Sequence, residues 1–292
     1  MGISIAYQSL RTSLTPHIRH VQARRILSPT SGFIAQAGFT HSLTPARNCT
    51  FGCTYCYVPT MRVQGGLEPE DWQRWGQFTT FKTNAAELLR RELRGHQNIY
   101  CSPLTDPYQP AEAEARSMPA ILEAVRDNPP RRFVLQTRGP LIRHDLDLLR
   151  TIPNVRVSFS ITTNREEIRR LYEPHCATYE ERLTTVRALR GAGIETYITL
   201  APLLPCDPEE LARAAIEASG RDLIGDPLHV RSVKPRGATT REATFRIAAV
   251  HGDQAWLDPE YQASIVERIA STAAALGRRF ATGPEGFSIL TS

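Results

Sequence analysis

The sequence predicts an α/β fold built on a parallel sheet, and three observations predict it. Six short apolar runs recur along the chain, at residues 33–43, 97–104, 133–136, 155–162, 194–200 and 228–233. Stretches with helical spacing separate them, long enough for right-handed crossovers between parallel strands. No repeat with a period of about 20–50 residues stands out, and 292 residues can enclose one sizeable core or one and a half domains. By periodicity alone this alternation fits a doubly wound sheet as well as a barrel.

Each element has its own signal. Residues 1–31 are polar and basic, with Arg11, His17, Arg19, His20, Arg24 and Arg25, and read as an irregular, solvated arm. The first strand, within 33–43, feeds a cysteine-rich loop, and a connection with Gly65, Gly66, Pro69, Trp72 and Trp75 follows. Asn84 with Glu87 three residues on resembles a capping box; Ala85, Leu88, Leu89 and Leu93 share one helical face, and Gly95 ends it.

The strand at 97–104 precedes a helix at 118–126, a strand at 133–136 and a helix at 141–150. In 155–162, Val155, Val157, Phe159 and Ile161 alternate with Arg156, Ser158, Ser160 and Thr162, so one face is polar and suits a barrel lumen. Leu183, Val186 and Leu189 mark a helix stopped at Gly191 and Gly193; this Gly-x-Gly precedes a strand, the wrong order for a dinucleotide fingerprint. After the strand at 194–200, Asp207, Pro208 and Glu210 read as a helix start. Beyond Lys234, residues 244–256 read as a strand or hairpin turning at His251, Gly252 and Asp253. Asp258 and Pro259 cap a last helix with Tyr261, Ile265, Ile269 and Leu276 on one face. The expected organisation is an arm (1–31), a core (32–235) and a C-terminal hairpin and helix extension (236–292).

Net charge is +5, with Lys82 and Lys234 as the only lysines. The arginine fork suits phosphate, but the excess is too small to assign a nucleic-acid partner. No apolar run approaches the roughly 18 residues of a membrane span, and the opening residues lack a signal-peptide layout, so the expectation is a cytoplasmic protein. Ala6 stands where a myristoylation signal wants Ser or Thr.

Cys49, Cys53 and Cys56 stand in a C-x3-C-x2-C pattern. Structural zinc wants four ligands, usually as two pairs, and disulfides want an oxidising compartment; the sequence supplies neither a second pair nor a signal to such a compartment. Three thiolates on an iron–sulfur cube leave one iron open to a non-protein ligand, a catalytic arrangement. Cys176 and Cys206 fall outside this pattern and read as structural or free.

This triplet, with Tyr55 just before its last cysteine, resembles the cluster loop of the radical S-adenosylmethionine (radical SAM) superfamily. The resemblance implies a [4Fe–4S] cluster whose fourth iron is chelated by S-adenosylmethionine. It further implies reductive cleavage to methionine and a 5′-deoxyadenosyl radical, and an electron donor such as a flavodoxin or ferredoxin. The fold it implies is a partial (β/α)6 TIM-like barrel of radical SAM type with a small C-terminal extension, its chemistry at the C-terminal strand ends.

Residues 43–57, 102–112 and 201–205 narrow the resemblance to the spore photoproduct lyase-like, or DNA repair photolyase-like, group. That implies lyase-type repair of a thymine photoproduct or other modified base in DNA, Cys101 as hydrogen donor, and Tyr55 and Tyr57 as radical relay. It also implies Ser102 and Asp106 at the amino group or ribose of S-adenosylmethionine, Arg138 at its carboxylate, Ser160 at its ribose or amino group, and Arg182 in the same shell. Bland readings stand beside these. Cys101 is a small buried hydrophobe, Asp106 caps the turn before Pro107, and Glu112, Glu114, Glu173 and Arg182 form helix-surface ion pairs. The acidic residue lies further from Cys101 than in the lyase. Two other functions are therefore carried: a radical enzyme acting on a peptide, RNA or small metabolite, and a non-catalytic metal-binding or nucleic-acid-binding module. In the DNA reading, residues 244–256 supply the hairpin that opens the duplex.

Overall fold

The computed structural model describes residues 16–61, 74–228, 230 and 241–292. The chain runs through β1 (His17–Val21), β2 (Leu27–Pro29), α1 (Gly32–Gln36), β3 (His41–Leu43), β4 (Ala46–Arg47) and β5 (Phe78–Lys82). Then come α2 (Ala85–Glu92), β6 (Asn98–Cys101), α3 (Glu112–Ala115), α4 (Met118–Asp127), β7 (Arg132–Thr137), α5 (Leu146–Leu149) and β8 (Val155–Ser160). The rest comprises α6 (Glu166–Tyr172), α7 (Tyr179–Gly191), β9 (Glu195–Leu203), α8 (Pro208–Ser219), β10 (Leu223–Pro227), α9 (Glu242–His251), α10 (Pro259–Ala275), β11 (Phe280–Thr282) and α11 (Gly283–Ser288).

The main sheet has the order β11-β10-β9-β8-β7-β6-β3-β2. From β3 to β11 every pairing is parallel, and β2 is antiparallel at the edge. Each parallel strand lies beside its predecessor in the main sheet, so the strand order never reverses. A doubly wound sheet requires such a reversal, and the fold is instead a partial barrel.

The two faces confirm it. Ile99, Phe133, Leu135, Val157, Phe159, Ile198 and Leu200 pack outward against Leu88, Leu122, Val186, Leu211 and Ile269 of the helices. The alternate residues Tyr100, Val134, Tyr197 and Ile224 face inward, where Ala37, Phe39, Phe287 and Leu290 plug the lumen beside α1 and α11. Higher in the lumen the lining turns polar, with Tyr100 donating to Gln136 Oε1 at 3.0 Å and Ser158 Oγ 2.5 Å from Thr199 Oγ1. The polar alternation of 155–162 thus faces the lumen. Filling one end with rings and leaving the other polar puts the ligand-accessible chemistry at the C-terminal strand ends.

Several expectations are corrected. The described part of the arm is ordered by pairing: β1 lies parallel to β5 in a second, three-stranded sheet with β4, and β2 joins the main sheet. Asn84, expected to cap α2, instead accepts from Ala23 N at 2.8 Å and donates to Ala23 O at 2.9 Å. Glu92 receives Leu27 N at 2.8 Å. The hairpin expected at 244–256 is the helix α9, stopped by Gly252 at φ 73, followed by a 3-10 turn. Thr244 and Ala248, one turn apart, bury its inner face, and that period outweighed the β-branched residues around it.

The sixth expected barrel strand is β10, at Leu223–Pro227, just before the expected 228–233, of which residues 229 and 231–233 lie outside the described residues; β11 follows it in the sheet with no expected counterpart. Residues 1–15, Lys234 and the connection through Gly65, Gly66, Pro69 and Trp72 lie outside them too. Asp258 caps α10 as expected, accepting from Glu260 N at 2.7 Å and Tyr261 N at 3.1 Å. Among the described residues no helix is long and apolar enough to cross a membrane.

Candidate functional site

The cysteine loop follows β3 and β4 and is clamped by loops from other strands. After β6, Thr105 Oγ1 donates to Asn48 O at 2.6 Å, and Gln109 Oε1 accepts from Thr50 N at 2.8 Å. After β8, at the end of α6, Tyr172 O accepts from Thr54 N at 2.9 Å, and after β10, just before α9, Arg241 Nη1 donates to Cys53 O at 3.3 Å. Gly52 and Gly76 cross at close range. A Cβ on Gly76, at φ +97, would stand 2.7 Å from Gly52 Cα, so neither backbone leaves room for a side chain.

Cys49, Cys53 and Cys56 are all free thiols and come together with Phe51, Tyr55 and Cys176 in one group of packed side chains. Burial raises the Cys49 thiol, and burial followed by the Cys53 charge pushes Cys56 up to about 12. Cys53 goes the other way: the neighbouring Cys176 thiol and then, against burial, Arg138 lower it.

Behind Cys53 lies a buried charge network. Tyr55 donates its hydroxyl to Glu173 Oε1 at 2.6 Å, and Arg138 Nη1 contacts both that hydroxyl and that carboxylate. Arg182 Nη2 is 2.7 Å from Glu173 Oε2. Burial works against an ionised Glu173, yet Arg182, Arg138 and the Tyr55 hydroxyl hold it at about 2. This is not the helix-surface pairing expected of Glu173 and Arg182. Nor is Glu112 a surface acid: it is buried and accepts from Ser117 Oγ and Met118 N, both at 2.7 Å, at the start of α4.

The remaining candidates divide. Ser102, just past β6, is buried with an enclosed, unpartnered Oγ, and Asn48 Oδ1 and Thr162 Oγ1 are likewise enclosed without a partner among the described residues. Ser160 is buried and makes one long bond, 3.4 Å to Ala201 O. Tyr57 is 44% exposed, near enough to Tyr100 to raise its phenol further after burial has done so.

Three expectations lose their geometric support. Asp106 has both carboxylate oxygens engaged, by Thr137 Oγ1 at 2.6 Å, Tyr108 N at 2.9 Å and Arg138 N at 2.8 Å, and serves as a loop tie. Arg182 is wholly enclosed beside Glu173 and acts as a support. Cys101 shares the outward face of β6 with Ile99, packed in the helix-side core and wholly buried, so its thiol is turned from the lumen. Sequence reasoning missed Thr105, Gln109, Tyr172 and Arg241, whose roles arise from contacts across the chain that leave no local pattern.

A partial parallel barrel carrying three cysteines on the loop after its first barrel strand defines a cluster-bearing radical enzyme, and the chain belongs to the radical SAM superfamily, whose family model matches residues 43–216. Its cofactors are accordingly a [4Fe–4S] cluster and S-adenosylmethionine. The residues present fit them: three thiols packed together, cations beside them, and unpartnered buried oxygens at the strand ends.

An uncharacterized protein of Mycobacterium tuberculosis is 30% identical over 259 residues, covering 80% of this chain and 73% of that one. One of Methanocaldococcus jannaschii is 24% identical over 186 residues, covering 63% and 67%. Among solved structures, spore photoproduct lyase complexed with dinucleoside spore photoproduct superposes with a TM-score of 0.55 at 18% identity, covering 80% of this chain. The chain spans 66% of that structure, just under two thirds. A cysteine-to-serine variant of the lyase gives a TM-score of 0.57 at 16% identity, with coverages of 86% and 79%. The likeness is one of fold.

Proposed function

We propose that the chain is a lyase-type radical SAM enzyme acting on a modified base in DNA. When bound, the cluster with S-adenosylmethionine would supply the 5′-deoxyadenosyl radical; the protein's own residues bind, orient and enclose. Cys49, Cys53 and Cys56 hold the metal. Arg138, fixed by Glu173 and Tyr55, stands ready to oppose the carboxylate of S-adenosylmethionine, because a guanidinium matches a carboxylate fork. Ser102 and Ser160 offer hydroxyls to its amino group or ribose. Phe51 and the buried cysteines exclude water on the loop side, which strengthens every polar contact made there. Tyr55 and Tyr57 flank Cys56 and are the phenols that would carry a radical, each giving its O–H hydrogen atom to an incoming radical and taking one back from the next donor.

The observation carrying the radical chemistry is the grouping of the three thiols with Arg138 at the strand ends; the fold likeness to the lyase supports the DNA substrate. One observation favours a second reading, a peptide, RNA or small metabolite as substrate: the Cys101 thiol is turned from the lumen and sits in the helix-side core. Anaerobic assays with dithionite and S-adenosylmethionine distinguish them. Release of 5′-deoxyadenosine that rises with ultraviolet-damaged DNA, with loss of dimers, supports the lyase reading. The same release with no response to DNA removes it in favour of the second.

A further inference from the structure

Cys176 takes no part in the C-x3-C-x2-C spacing, yet its sulfur lies 4.0 Å from Cys53 Sγ. Arg138 Nη1 lies 3.7 Å from that same sulfur. Backbone N–H groups of Phe51 and Asp106 face Cys49, and that of Val58 faces Cys56, whereas Cys53 is met by side chains.

One short segment positions both donors. Arg169 Nη1 donates to Cys176 O at 2.8 Å and to Glu173 O at 3.1 Å, and Cys176 N donates to Glu173 O at 3.1 Å. The Glu173 side chain in turn holds Arg138. Either thiol can donate across the 4.0 Å contact, but a Cys53 bound to metal is a thiolate without a proton, so residues 173–176 then present an S–H directly and a guanidinium indirectly to a single cluster sulfur.

We infer that Cys176 is a positioning residue of the cluster, outside its ligand set, that donates a hydrogen bond to the Cys53 sulfur and, together with Arg138, sets the cluster's reduction potential. Reduction adds one electron from a one-electron donor; no bond forms or breaks and no proton moves. The cluster becomes one charge more negative, some of it on the thiolate sulfurs. Hydrogen bonds to a more highly charged acceptor are stronger, so these donors favour the reduced form and raise the potential. The inference rests on the family's cluster and is independent of the substrate.

The test is an anaerobic potentiometric titration, read by the electron paramagnetic resonance signal of the reduced cluster, on reconstituted wild type, Cys176→Ala and Cys176→Ser. Cys176→Ala is expected to keep wild-type iron and sulfide content. At the wild-type midpoint its ratio of reduced to oxidised cluster should fall about tenfold, a shift of about 59 mV to more negative potential for one electron. Cys176→Ser, which keeps a donor, should move back toward wild type. Iron loss in both variants would make Cys176 a ligand and overturn the inference. An unchanged midpoint in Cys176→Ala, or a Ser variant shifted as far as the Ala variant, would overturn it equally.

Discussion

Arg182 Nη2 lies 2.7 Å from Glu173 Oε2, and neither side chain has any exposed surface. Removing one partner of such a pair leaves an uncompensated buried charge, which costs about 3–5 kcal/mol. Glu173→Ala should lower stability by that amount in urea unfolding of the cluster-free protein. Glu173→Gln should be milder, since its amide oxygen still accepts a hydrogen bond.

The same carboxylate predicts a pH dependence. Its folded pKa is about 2 against an ordinary 4.5, a depressed value. The stability it contributes is present above about 4.5 and is lost as pH falls through that value toward 2. Unfolding free energies measured from pH 5 to pH 2.5 should fall more steeply for wild type than for Glu173→Gln. Parallel slopes would show that the carboxylate is not held down.

Cys49→Ala, Cys53→Ala and Cys56→Ala should each abolish cluster retention, measured as iron, sulfide and visible absorbance after anaerobic reconstitution. Cys206→Ala should retain all three, because Cys206 is buried in the helix-side core.

Ser102 Oγ is enclosed without a partner. If it bonds S-adenosylmethionine, Ser102→Ala should weaken binding by up to about tenfold, as a lost hydrogen bond of ~0.5–1.5 kcal/mol requires. Equilibrium dialysis with the reconstituted protein measures it. An unchanged dissociation constant would assign the hydroxyl elsewhere.

Gly76 combines φ +97 with a Cβ clash of 2.7 Å against Gly52 backbone. Gly76→Ala should destabilise the protein by about 1–3 kcal/mol and displace the cysteine loop, seen as lower iron retention at equal protein.

What was legible in the sequence was what local spacing encodes. Five barrel strands overlap their apolar runs, β10 lies slightly upstream of its run, β11 answers to no expected strand, and the grouping of Cys49, Cys53 and Cys56 follows from their own spacing. What was hidden depends on distant partners. Tyr55 meets Glu173 across 118 positions and Cys53 meets Cys176 across 123, so Glu173 looked like a surface acid and Cys176 like a spare thiol. Polar β1 became a strand only because β5 offers it a parallel edge, and Asn84 left its capping role for Ala23. Residues 244–256 misled because Thr244, Phe245, Ile247 and Val250 suit a strand by type, while the buried pair Thr244 and Ala248 suits a helix by position.

The bond from Arg241 to the Cys53 carbonyl spans 188 positions. At about 5–20 residues per second, a ribosome needs roughly 10–40 s to make that length of chain. The three thiols leave the exit tunnel long before the loop that holds them is complete. The contacts from Thr105, Gln109 and Tyr172 can form earlier, so the cysteine loop is tied down in stages and its last tie closes only when most of the chain has been made.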